Sequence, residues 1–263
     1  MKLEFIPLLQ LQRDLYNIPR GQERFRVYLE TMLDADASDI ELPPLALMNP
    51  MGKEHIPAML DTLLAMDADA VAASAIAQLL EAKPIAEVIK QFEKIPGKFK
   101  VGLVVADDLM GGWTNRYTSE FSDRFETEQS LKRGWLSGIL WTSEVPSIQK
   151  VREVTLTAVY RVAYIQRHGF ARTLQEMLNQ EGYAMAMAGC KQPNLDADDI
   201  AYTRAIVAPH LSTHDYPTMM TCLFGDRAAH SLGYRALGLS EYAGLALALH
   251  QAKQDKSLNR NGT

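Results

Sequence analysis

Apolar positions recur at spacings of three and four along most of this chain, the period of a helix that buries one face. Between residues 146 and 168, Ile148, Val151, Thr155, Ala158, Val162 and Ile165 form one such stripe. Pro146 suits a first helical turn, where its missing N–H costs nothing, and Gly169 closes the segment. Residues 49–66 read the same way, with Asn49 as a capping candidate, Pro50 next, and Ile56, Met59, Leu60, Leu63 and Leu64 as the apolar face. Further helices are predicted at 4–16, 21–33, 69–82, 84–95, 171–188, 197–210, 217–231 and 240–253. Short turns join several of them, so antiparallel helix pairs are expected. The acidic stretch ADASDIELPPLALM, 35–48, carries Pro43-Pro44 and reads as a loop.

The period changes in FKVGLVVAD, residues 99–107. Val101, Leu103, Val104 and Val105 are apolar and mostly β-branched, with Gly97 before them and acids and glycines after, which predicts a buried strand. WLSGILW, 135–141, is a candidate partner strand, although the same letters tolerate a helix. The expected fold is therefore mainly α: one multi-helix domain over 1–263 with a small β element at 99–107 and 135–141. Within it, 1–97 and 146–253 are helical, 98–145 is mixed, and 254–263 is a polar tail. No period of a repeat protein appears.

Composition narrows the function classes. A chain of 263 residues, 47% hydrophobic and 22% charged, is long enough and apolar enough to bury a core, which argues against disorder. A net charge of -5 and a pI of about 5.7 offer no cationic field, weighing against nucleic acid or an anionic membrane as partner. Cys190 and Cys222 are too few for a disulfide framework. The N-terminus lacks a signal-peptide pattern, and the longest apolar run, AGLALAL at 243–249, falls far short of a membrane span. A cytoplasmic protein is expected, with a homodimer as the default assembly.

The chemistry concentrates in VVADDLMGGWTNRYTSE, 104–120. If 99–106 is a strand, alternation sends Asp107 to the face of Val105 and Asp108 to the other, so one carboxylate meets the apolar layer. Loss of hydration there would raise its pKa and make it a general acid or base; alternatively the pair helps to hold a hard cation such as Mg²⁺. Gly111-Gly112 let the backbone approach a ligand, Trp113 and Tyr117 can wall a pocket, Asn115 supplies a directed donor, and Arg116 suits a carboxylate or phosphate. Glu120, read as first-turn residue of a helix capped by Ser119, is a third acid. The competing reading is structural, with Arg116 paired to Asp108 or Glu120 and the tryptophans as core anchors.

Elsewhere the signals are weaker. His210 and His214 stand at i, i+4 in PHLSTHDYP, with Cys222 or His230 as further metal ligands, but the context reads as one helix ending and another being capped. Asp196, Asp198 and Asp199 read as first-turn acids. No cofactor signature and no G-x-S-x-G occurs. The leading expectation is an enzyme acting on a small polar or anionic metabolite, with Asp107 as acid/base or metal ligand, Arg116 as anion anchor, Trp113 as pocket wall, and Asp108, Asn115, Tyr117 and Glu120 assisting. A helical interaction module using the acidic stretch Asp34 to Asp69, and a His210/His214 metalloprotein, are the alternatives.

Overall fold

A strand hidden from the local pattern organises the first part of the chain. Lys2–Phe5 is β1, and it pairs in parallel with β2, Lys98–Ala106, which pairs in parallel with β3, Trp135–Trp141. The expected helix at 4–16 is thus corrected: the chain runs through β1, passes Pro7, and turns helical only over α1, Leu9–Leu15. The bonds that make β1 a strand come from residues 98–101, beyond the reach of any local period. The 135–141 segment takes the strand alternative, in register from Lys100↔Trp135 to Ala106↔Trp141.

The structure is a computed structural model that describes residues 2–81, 98–110, 114–191 and 195–260, with side chains as far as Asp255. The helix expected at 84–95 lies outside these residues. The chain is mainly helical, 61%, with twelve helices and a three-stranded parallel sheet among the described residues. No single helix among them is long and apolar enough to cross a membrane.

The chain divides into two compact units, Met1–Ala158 and Val159–Thr263. In the first, α2 (Gln22–Met32), α3 (His55–Ala65), α4 (Ala68–Glu81), α5 (Arg116–Phe125), α6 (Glu128–Lys132) and the start of α7 (Ile148–His168) accompany the sheet. Val101, Leu103, Val104, Val105 and Ala106 are fully buried, as a central parallel strand covered on both faces requires. Leu103, Val104, Val105 and Ala106 share a core with Leu9, Leu45, Met48, Ile56, Leu60, Leu63 and Val151. Where β1 has turned away, Gln12 takes its place: its buried carboxamide donates to Val105 O at 2.8 Å and accepts from Val105 N at 3.0 Å.

Helix α3 begins later than the expected 49, because Asn49 has other work. Its side-chain oxygen accepts the Met51 N–H at 3.1 Å, which bends the backbone before helix can start. In the second unit, α8 (Leu174–Ala188) opens on a Thr173/Glu176 capping box and packs with α12 (Ala243–Arg260). Between them lie α9 (Ala197–Val207), α10 (Tyr216–Phe224) and α11 (Asp226–Leu232). The single helix expected at 217–231 is broken at Gly225, where φ is 82° and a Cβ would lie 2.1 Å from Ser240 O.

Candidate functional site

The register of β2 and β3 decides where the acids go. With Ala106 opposite Trp141, the next residues of both strands leave the same edge of the sheet, the carboxyl edge at which parallel sheets place ligands. The two exits are laced together. Thr142 Oγ1 lies 3.0 Å from Asp107 Oδ1 and 3.1 Å from Asp108 Oδ1, and Ser143 donates to Asp108 through its N–H at 2.9 Å and its hydroxyl at 2.6 Å. Leu109 and Met110 after β2, and Val145 and Ile148 after β3, are exposed apolar side chains on these same exits.

Asp107 is the carboxylate turned into the apolar layer, 2% exposed. His55 Nε2 stands 2.8 Å from its Oδ1, Asn49 Nδ2 donates to its Oδ2 at 3.0 Å, and the Leu109 N–H reaches Oδ1 at 3.3 Å. Burial alone would push the Asp107 pKa up, but the hydrogen bonds from His55, Asn49 and Thr142 outweigh it and leave the group below its ordinary value. The expected direction of the shift is therefore corrected: donors in contact with the charge win over lost hydration. Asp107 is ionised at neutral pH and can only accept, so the proton facing it sits on His55 Nε2. A neutral His55 then carries its lone pair on Nδ1, which has no hydrogen-bond partner among the described residues, on a side chain 23% exposed.

The turn that presents Asn49 and His55 is itself pinned. Tyr16 donates its hydroxyl to Asn49 O at 2.6 Å, and burial pushes the Tyr16 pKa well up, keeping that proton in place. The buried guanidinium of Arg24 lies 5.3 Å from the Tyr16 ring centre and donates to Ile18 O at 2.7 Å. Its Nη1 also reaches Pro50 O at 3.4 Å.

Arg116 is committed to carboxylates of the protein. Its Nη1 pairs with Asp108 at 3.0 Å, Nε with Glu120 at 2.9 Å and Nη2 with Glu144 at 2.5 Å, while the guanidinium lies 5.3 Å from the Trp141 ring centre. Arg124 holds the other oxygen of Glu120, and Lys150 also pairs with Glu144. An anion would have to displace one of these carboxylates to reach Arg116, so the geometry favours the structural reading of that residue. Burial opposes ionisation of Asp108, but Ser143 and Arg116 hold its pKa below the ordinary value.

Asn115, not Ser119, caps α5: its side-chain oxygen accepts from Tyr117 N at 3.0 Å and Thr118 N at 3.2 Å. Glu120 accordingly lies beyond the first turn, and Tyr117 is buried. Trp113, with Gly111 and Gly112, lies outside the described residues. Thus Asp107, Asp108, Arg116 and Glu120 do gather at one edge of the sheet, while Asn49, His55, Thr142 and Ser143 complete the cluster and were missed by sequence reasoning. The one available signal for His55 was a polar residue opening an apolar stripe, which no spacing rule connects to position 107.

His214 Nδ1 donates to Arg172 O at 3.1 Å from an exposed loop, and His210 ends a 3-10 turn. Among the described residues no three His, Cys, Asp or Glu side chains converge as metal ligands. Burial pushes the Cys222 thiol up to about 12, an unreactive state. No family model, curated protein or solved structure matches the chain.

Proposed function

We propose that this protein is an enzyme that moves a proton on a small polar substrate at the carboxyl edge of the sheet. His55 is the general acid–base, and Asp107 is the ionised carboxylate that fixes its tautomer and stabilises the imidazolium formed when Nδ1 accepts a proton from substrate or water. The observation that carries this reading is the 2.8 Å contact between His55 Nε2 and a carboxylate that is buried yet charged. A charge costly to bury is kept here by four donors, an arrangement characteristic of working acid–base pairs. Thr142 and Asn49 orient Asp107, while Asp108 and Arg116 tie the two strand exits into a rigid rim. The exposed Leu109, Met110, Val145 and Ile148 give a polar substrate an apolar surface to lie against.

The test is turnover of a panel of small esters, lactones, amides and hydroxy acids by the wild-type chain and two variants. For any substrate turned over, His55→Ala and Asp107→Asn should each lower kcat by about 10²- to 10⁴-fold with KM little changed. Undiminished turnover in His55→Ala would overturn the assignment.

A further inference from the structure

A cleft of about 820 Å³ opens within the second unit, framed by the end of α7, by α8 and by α12. Small residues create it. Helices α8 and α12 come so close at Gly182 that a Cβ there would lie 2.5 Å from Ala248 O, and with nothing larger at the crossing the longer side chains on either side stand as walls. The volume lies within the range of roughly 300–1,000 Å³ typical of small-molecule sites.

The walls are aromatic, and their polar ends are unspent. Tyr164 and Tyr183, both half-buried, have ring centres 5.4 Å apart and planes inclined by 46°, so they make an angled surface without covering each other's faces, while His168 stacks on one face of Tyr164 at 4.3 Å. Burial raises the pKa of both phenols, which therefore keep their protons. Among the described residues neither hydroxyl has a hydrogen-bond partner, nor does the carboxamide of Gln251 or the carboxylate of Asp255, and all four line the cleft. Among the described residues no lysine, arginine or histidine lines it, and Asp255 is the one charged side chain of the lining. A phosphate or carboxylate ligand would find no cation in the lining and the Asp255 carboxylate facing it, with Arg167 acting on Tyr183 only from outside the lining, whereas a ring with apolar C–H faces and a hydroxyl edge finds aromatic surface, donors and acceptors.

We infer that this cleft binds an uncharged, hydroxyl-rich ring compound, either a free sugar or the sugar of a nucleoside. The ring packs its apolar face on Tyr164 and Tyr183 while its hydroxyls bond to the two phenols, Gln251 and Asp255. The site is separate from the His55–Asp107 pair in sequence and in chemistry.

Met187 lines the cleft, and its methyl group serves as reporter. The full chain with ¹³C-methyl methionine is titrated with glucose, maltose, adenosine and uridine, and in parallel with glucose 6-phosphate and adenosine monophosphate. A saturable shift of the Met187 signal is expected with a sugar or a nucleoside, and the arm that responds identifies the source. The phosphorylated counterpart should bind at least about tenfold more weakly, and Tyr183→Phe and Gln251→Leu should each weaken binding by about five- to tenfold. Tyr183→Phe keeps the ring, so its effect reports the hydroxyl without disturbing the fold. No shift from any uncharged compound up to about 10 mM, equal binding of the phosphates, or indifference to both variants would overturn the proposal.

Discussion

Asp107 and Asp69 answer burial in opposite ways, and the difference lies in how many donors reach each. Asp107 collects His55, Asn49, Thr142 and a backbone N–H, and its pKa falls. Among the described residues Asp69 receives only the Leu9 N–H, at 3.4 Å, and its Oδ1 has no partner, and burial pushes its pKa up to about 6. Between the unfolded value of 3.8 and about 6 the folded state holds the extra proton, so Asp69 makes stability fall as pH rises through that window. Asp69→Asn keeps the acceptor and removes the charge. It should stabilise the protein at pH 7 by about 1 kcal/mol, allowing for the partial exposure of the group, and leave stability at pH 3 nearly unchanged. Urea unfolding at the two pH values measures both.

At the scale of elements, Gln12 does the work of a missing strand. Its carboxamide satisfies both polar groups of Val105 and thereby fixes the end of β2 that carries Asp107. Gln12→Leu fills nearly the same space but leaves a buried N–H and C=O unpaired, and should cost about 2–4 kcal/mol in urea unfolding. The sequence predicted β2 because a parallel strand buried on both faces is apolar without interruption, and it predicted α7 because 3.6-residue periodicity is a local property. It concealed β1, whose four residues become a strand only through pairing with 98–101. It placed the start of α3 too early because a proline and an Asx residue mark a turn as readily as a helix start, and here the Asn49 oxygen closes the turn on Met51 N–H while its amide reaches Asp107. The break at Gly225 depended likewise on a distant carbonyl, that of Ser240.

Across the whole molecule, the site was legible on one side only. The acids leaving β2 were visible because strand alternation and an abrupt change from apolar to charged residues are written in a single segment. Their partners arrive from the turn before α3, from the first residue of α3 and from the residues that follow β3, and only the topology brings these together. Ionised carboxylates, one buried and two half-buried, also shape the stability of the molecule. Asp107, Asp108 and Asp226 are all held below the ordinary carboxylate range, so the unfolded chain takes up protons first as pH falls. Thermal unfolding should show stability from these groups intact above about pH 4 and lost below it, with Asp107→Asn flattening that acid limb. The most direct test of the account is the position of one proton. A long-range ¹H–¹⁵N spectrum of the full chain at pH 8, with His55 assigned by comparison with His55→Ala, should show the hydrogen on Nε2 and the lone pair on Nδ1, a preference weakened in Asp107→Asn. A hydrogen fixed on Nδ1 in the wild-type chain would contradict it.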